Sequence, residues 1–168
     1  PGVCPLSLHD ALPIDAVATA STWINVDPWT VLSDSRSTAE DIPDNDAAGV
    51  SQILSMFSST DFIIEHVELT VNISHTFRGD LVITLQSPGG TRSVLTSLHT
   101  DSADDYDDWK FTSVAHWGED PVGEWTLKVS DGNALDVGTL NNWSLQIYGT
   151  APGEGAIPTM PLTFFSKP

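Results

Sequence analysis

Histidine and serine side chains could act in catalysis or metal binding, but their spacing in this chain matches no familiar motif. The histidines are His9, His66, His75, His99 and His116. None of them forms the i, i+4 pair that holds zinc on a helix. The nucleophile elbow Gly-x-Ser-x-Gly is also absent from the sequence. The sequence therefore predicts no catalytic residue and no zinc site in this chain.

Acidic residues are the other chemically capable group, and many of them fall in predicted loops. Carboxylate and backbone carbonyl oxygens are the ligands that Ca²⁺ prefers. The candidate calcium ligands are Asp44, Asp46, Asp104, Asp105, Asp107, Asp108, Asp131 and Asp136. No EF-hand spacing joins them, so solvated surface acids remain the alternative to calcium binding.

Composition excludes several classes of partner. The 168 residues carry a formal charge of −17, from 6 basic and 23 acidic side chains. Nucleic-acid binding needs clustered Lys and Arg, so it is not expected, and neither is an anionic membrane surface. No apolar run approaches the roughly 20 residues that span a bilayer. The single cysteine, Cys4, leaves no pair for a disulfide within the chain.

The stretch from Asp104 to Asp131 is the most informative part of the chain, because it holds three of the six tryptophans. Trp125, Leu127 and Val129 alternate with polar residues, the period-2 pattern of a half-buried strand. We therefore place these three side chains in the core. An aromatic-rich loop is expected before this strand.

Similar alternation recurs between turn residues along most of the chain. Predicted strands include Gly49–Phe57, Phe62–Ile73, Leu81–Leu85, Ser93–Thr96, Trp109–Val114 and Glu124–Ser130. A last apolar stripe consists of Trp143, Leu145 and Ile147, which we also assign to the core. Many short strands with turn punctuation predict an all-β fold of the β-sandwich class.

Several motifs occur together in a distinctive order. They include Asp-Trp-Lys-Phe at 108–111, His-Trp-Gly-Glu-Asp-Pro at 116–121, Gly-Glu-Trp-Thr-Leu at 123–127 and Tyr-Gly-Thr at 148–150. With Arg-Gly-Asp at 78–80 and Ser-Pro-Gly-Gly-Thr-Arg at 87–92, they resemble the P domain, also called Homo B. This domain follows the catalytic domain in the kexin- and furin-like proprotein convertases. The resemblance runs from about Ile42 to Thr150.

The resemblance implies a jelly-roll sandwich that docks on a subtilisin-like catalytic domain and supports its folding and stability. In that family the domain also influences calcium and pH behaviour, and the bacterial versions belong to secreted enzymes. Matched by position, Trp109 is the expected interface anchor, with Phe111 and Trp117 as supporting candidates. Ordinary core packing is the alternative for all three side chains.

The motifs of subtilisin-like catalysis are missing from the sequence. Asp34-Ser35 continues into Arg36 instead of Gly, no His precedes a Gly, and Gly90-Thr91 continues into Arg92. A Ser–His–Asp triad therefore cannot be assembled from those motifs. We expect a non-catalytic fragment whose parent is a serine-type endopeptidase.

The tripeptide at 78–80 also spells a known integrin-adhesion sequence. The family carries it where a tight turn feeds a core strand, which favours a turn role for Gly79 and Asp80. The family positions of His75 and His116 likewise favour structural hydrogen bonding over metal ligation.

The chain divides into five segments. Residues 1–14 resemble the translation of a sequencing adapter, and 15–23 resemble the last helix of a catalytic domain. Residues 24–41 are predicted to be a linker, 42–150 the P domain and 151–168 a Pro/Gly-rich tail. A free-standing or metalloprotease-linked sandwich that binds carbohydrate or protein is the alternative function, since jelly rolls often bind carbohydrate through exposed aromatics.

Overall fold

The computed structural model describes residues 29–151, which fold into eight strands and one short 3₁₀ helix. The strands are β1 (Thr30–Ile42), β2 (Asp46–Met56), β3 (Ile63–His75), β4 (Leu81–Gln86), β5 (Arg92–Thr96), β6 (Tyr106–Ser113), β7 (Gly123–Asp131) and β8 (Gly138–Thr150). They form two antiparallel sheets, ordered β1-β8-β3-β6 and β2-β7-β4-β5. This strand order is that of a jelly roll, and the predicted all-β sandwich is confirmed.

The core lies between the two sheets and follows directly from the period-2 pattern. In the first sheet Val71 pairs with Trp143 and Leu69 with Leu145, and all four side chains are 0% exposed. Paired residues of an antiparallel ladder project from the same face. The facing sheet contributes its own inward row from β4 and β7, such as Leu85. The two apolar rows bury each other, which stabilises the sandwich.

The predicted linker at 24–41 is wrong over its described part, because β1 occupies Thr30–Ile42. This strand pairs with β8 along its length, from Thr30 opposite Gly149 to Ile42 opposite Gly138. β1 is an edge strand with mostly polar, exposed side chains, so its sequence lacks the apolar alternation of a buried strand. The domain therefore begins at least twelve residues before the boundary expected at Ile42.

The sandwich has two distinct ends. The proximal end contains the first and last described residues, Trp29 and Ala151, together with the turns at 57–62, 87–91 and 114–122. The distal end contains the turns at 43–45, 76–80, 97–105 and 132–137. The predictions for residues 1–14, for the helix at 15–23 and for most of the tail lie outside the described residues.

Candidate docking surface

Trp109 lies in β6, at the open edge of the first sheet. The predicted start of this strand at Trp109 is wrong, because β6 already begins at Tyr106. Trp109 pairs with Val71, so its indole projects from the inward face of the sheet. The ladder is irregular between the Val71 and Ile73 pairs, which brings buried Tyr106 to the same face. Trp109 stays 43% exposed because no strand lies beyond β6 in that sheet.

Arg78 covers this edge cluster of aromatic rings. Its guanidinium carbon lies 5.0 Å from the Trp109 ring centroid and 5.7 Å from that of Tyr106. The same guanidinium donates a hydrogen bond from Nε to Asp101 Oδ2 at 2.8 Å, and its Nη2 lies 2.8 Å from the same oxygen as an ion pair. The pKa of Asp101 lies below its usual value. The main cause is the hydrogen bond that its carboxylate accepts from the backbone N–H of Ala103, and the hydrogen bond from Arg78 is the second cause. Phe111 packs half-buried beside the cluster, with its ring 5.6 Å from Tyr106.

The Arg-Gly-Asp tripeptide forms the short 3₁₀ helix at the distal end. Asp80 is only 6% exposed and accepts a 2.6 Å hydrogen bond from Asn133 Nδ2. A Cβ on Gly79 would meet the carbonyl oxygens of His99 and Asp101, so only glycine fits. The motif therefore stabilises a turn, and its acidic group is not displayed for adhesion.

Trp117 is carried by the proximal turn at 114–122 and is 68% exposed, so it is not part of the core. The turn is tied to β3 by two backbone bonds: Gly118 N donates to Ile64 O at 2.8 Å, and Ile64 N donates to Glu119 O at 3.0 Å. Gly118 has φ +83°, a left-handed conformation that glycine adopts without strain. The turn thus presents an indole to solvent from a fixed backbone.

His116 anchors the same turn to the core. Its side chain is 0% exposed, and its ring lies edge-on to that of Trp125 with the ring centroids 5.0 Å apart. Within residues 29–151 neither ring nitrogen of His116 has a hydrogen-bond partner. The structural hydrogen bonding expected for His116 is therefore wrong. Burial lowers the pKa of His116, and the carboxylate of Glu119, 4.0 Å away, opposes that shift. A neutral imidazole therefore acts here as an apolar ring.

The residues assigned to the core are all fully buried. Trp125, Leu127, Val129, Trp143, Leu145 and Ile147 are each 0% exposed. Trp125 Nε1 donates to Pro121 O at 2.9 Å, which joins the core to the proximal turn. Trp143 Nε1 is buried with no partner among the described residues.

Sequence reasoning missed three exposed apolar residues at the same proximal end as Trp117. Phe57 is 76% exposed, Ile63 43% and Val122 41%. Ile63 and Val122 line a groove of about 480 Å³ that Gly118 also borders. Each residue sits at a strand end or in a turn, where alternation no longer tells inward from outward, so no local signal could have found them.

The comparisons with known proteins identify the family and agree with the fold. The model of the family described as "Proprotein convertase P-domain" matches residues 64–147, which is half of the chain. This chain is a proprotein convertase P domain. Its relatives include Furin-1 of Xenopus laevis, 37% identical over 143 residues that make up 80% of this chain and 18% of that protein. Furin of Bos taurus is 46% identical over 101 residues, 58% of this chain and 12% of that protein.

This P domain also resembles a solved bacterial structure. The match is to the crystal structure of the Aeromonas sobria serine protease (ASP) in complex with the chaperone (ORF2). It covers 80% of this chain and 29% of the matched chain. The TM-score is 0.64 at 23% identity, which shows a shared fold. The P domain therefore spans less than a third of that protease chain and less than a fifth of the length of the two furins.

The distal end of the P domain is rich in aspartates, and most of those predicted as calcium ligands have structural partners. Asp44 Oδ1 accepts from Leu135 N at 3.0 Å, and Asp136 Oδ1 accepts from Thr76 Oγ1 at 2.5 Å. In residues 29–151 no group of three or more His, Cys, Asp or Glu side chains is arranged to hold a metal ion. Calcium binding at these loops stays a prediction.

One buried pair closes the core at the distal end. His75 Nε2 lies 3.6 Å from Asp131 Oδ2, and both side chains are 0% exposed. Phe77 N donates to His75 Nδ1 at 3.1 Å, and Asn133 N donates to Asp131 Oδ1 at 3.0 Å. These contacts orient two polar groups at the base of the turns.

None of the helices described between residues 29 and 151 is long and apolar enough to cross a membrane.

Proposed function

We propose that this P domain docks on a subtilisin-like catalytic domain of a secreted bacterial serine endopeptidase and stabilises it. The observation that supports this best is the contrast between a closed, largely apolar core and exposed tryptophans at the surface. Trp117 is 68% exposed on a fixed turn, although an indole of this size normally finds cover. Exposed aromatic groups of this kind mark protein–protein contact sites.

Catalysis in the proposed enzyme belongs to the partner domain. The proximity of an acid, a histidine and a serine is what a triad requires. Here the buried His75–Asp131 pair lies inside the core, closed from any substrate at 0% exposure. The 168-residue chain alone should cleave no peptide and should not react with a fluorophosphonate probe. Stoichiometric labelling of one serine would contradict the accessory role.

The docking role can be tested by replacing the P domain of a relative with this chain. The 168-residue chain would replace the P domain of human Furin, to which it is 43% identical over 98 residues. Cells expressing this chimera should secrete active protease, while a furin lacking its P domain serves as the negative control. A chimera no more active than that control would overturn the proposed function.

A binding module for carbohydrate is the second candidate function, and one surface favours it. On the outer face of the first sheet the His66 and Tyr148 rings stack at 4.4 Å, and Trp29 meets both edge-on. Trp29 is exposed and the other two rings are half-buried, and surface rings of this kind can stack on the apolar faces of sugars. Retardation of the chain in gels that contain soluble polysaccharides, and its loss in Tyr148→Ala, would support this alternative.

A further inference from the structure

We propose that the outer face of the first sheet binds a neutral, β-1,4-linked polysaccharide, with the rings of Trp29, His66 and Tyr148 at one end of the site. This inference rests on the second candidate function, and it adds the chemical class of the polymer and the polar rows that complete the site. It does not depend on the docking function, whose support is exposed Trp117 in the proximal turn.

The outer face follows from the same alternation that builds the core. The core side chains of β8 alternate with Ser144 and Gln146, which therefore project from the opposite face of the sheet. Ladder partners project from the same face. The two polar rows that result are Ser33, Gln146, Glu68 and Thr112 in one row, and Ser35, Ser144, Thr70 and Lys110 in the next. Hydroxyl and amide groups both donate and accept hydrogen bonds, which suits the hydroxyls of a sugar.

The three rings continue this face at the proximal end. Tyr148 follows Gln146 as the next outward residue of β8, and it pairs with His66, whose ring stacks on it at 4.4 Å. Trp29 meets both rings edge-on and is itself 59% exposed. The Tyr148 hydroxyl lies 3.3 Å from both Gln146 Oε1 and Glu68 Oε2, which joins the rings to the first polar row. Rings that already support one another lose little conformational freedom on binding.

The shape of the face favours an extended polymer. The outward residues of β8 from Asn142 to Tyr148 span about 20 Å, at about 3.4 Å per residue. Neighbouring strands lie about 4.8 Å apart, so a polymer that follows β8 also reaches the polar side chains of β1 and β3. A β-1,4-linked hexose chain is an extended ribbon with C–H groups on its ring faces and hydroxyls along its edges. The C–H groups suit the electron-rich faces of the aromatic rings, and the hydroxyls suit the polar rows.

Charge selects a neutral polymer. Lys110 Nζ donates to Glu68 Oε2 at 2.7 Å, and this hydrogen bond is the main cause that holds the pKa of Glu68 below its usual value. These are the two charged side chains of the polar rows, and each neutralises the other. No basic group of these rows is left for the acid groups of an anionic polymer, which the formal charge of −17 would also repel. The same pairing leaves no free carboxylate in these rows to select a cationic polymer.

Affinity electrophoresis of the 168-residue chain tests the site. Native gels would contain glucomannan, which is neutral and β-1,4-linked, polymannuronate, which has the same linkage but is anionic, or dextran, which is neutral and α-1,6-linked. Glucomannan should retard the chain, and the other two polymers should not.

Two substitutions at the face and one matched control locate the binding. Trp29→Ala should weaken the apparent affinity for glucomannan by about tenfold, the scale of an aromatic anchor. Gln146→Ala should weaken it by a smaller factor. Trp117→Ala removes an indole that is 68% exposed on the proximal turn, and it should keep the wild-type affinity. Thermal unfolding checks that all three variants remain folded.

Each outcome separates the site from the function. Retardation by glucomannan that both face variants weaken, with the control intact, supports the site. Retardation that neither face variant changes, or that Trp117→Ala weakens equally, overturns the face as the binding site. Retardation by polymannuronate or dextran instead of glucomannan overturns the polymer class and leaves carbohydrate binding standing. A chain that none of the three polymers retards overturns the inference and leaves this face to a protein partner, while the furin chimera still tests docking separately.

Discussion

The guanidinium carbon of Arg78 lies 5.0 Å from the ring centroid of Trp109, although 30 residues separate them in the sequence. A cation over an indole face is attracted by the ring quadrupole. Arg78 is held in this position by a hydrogen bond and an ion pair with Asp101. Trp109 is therefore stabilised within the domain before any partner is considered.

The Arg78–Trp109 contact predicts a measurable coupling. In a double-mutant cycle of Arg78→Ala and Trp109→Ala, the interaction should contribute about 0.5–1 kcal/mol to the free energy of unfolding, the usual value at a partly exposed site. Urea unfolding of the four proteins measures it. Strictly additive effects would show that the two side chains do not support each other.

The two buried tryptophans should differ in their response to phenylalanine. Trp125→Phe removes the donor of the hydrogen bond to Pro121 O, whereas Trp143 Nε1 has no partner among the described residues. Leaving a buried carbonyl without its donor costs about 1–3 kcal/mol. Trp125→Phe should therefore be the more destabilising of the two by about that amount, measured by urea unfolding. The reverse order would contradict the assigned hydrogen bond.

Buried His116 should make stability depend on pH. Because burial lowers its pKa below the ordinary value of 6.5, the unfolded chain takes up this proton before the folded domain does. Its contribution to stability is therefore complete above about pH 6.5 and is lost as the pH falls towards the lowered folded pKa.

The measurement compares thermal unfolding between pH 8 and pH 5 in wild type, His116→Gln and His99→Gln. His116→Gln should lose less stability over this range than wild type, whatever its stability at pH 8. His99→Gln removes an exposed imidazole and should keep the wild-type loss. Identical pH profiles for His116→Gln and wild type would rule out His116 as the titrating group.

The Arg-Gly-Asp turn should matter for folding and not for adhesion. Asp80→Ala leaves Asn133 Nδ2 without its buried acceptor and should lower the free energy of unfolding by about 1–3 kcal/mol. Asp61→Ala, at an exposed proximal position, is the control and should change it by less than about 0.5 kcal/mol. Integrin-dependent cell attachment to the wild-type chain would contradict the burial of Asp80.

The strands and the core could be predicted from the sequence because alternation is a local property. A strand buried on one face must place apolar side chains at every second position, as Trp125, Leu127 and Val129 show. The strand order and the family could be expected as well, since several motifs occur in one order. β1 escaped prediction because its pairing with β8 depends on backbone ladder bonds, which leave little trace in its polar side chains.

Only the tertiary structure decided which surface residues meet. Ile63 borders the turn at 57–62 and Val122 belongs to the turn at 114–122, and the two residues line one groove because the sheets bring both turns to the same end of the sandwich. The burial of His116 and the contact between Arg78 and Trp109 are equally non-local. The sequence by itself determined the alternating core, because neighbouring residues encode it. The candidate docking surface depends on contacts between distant residues, which no local pattern records.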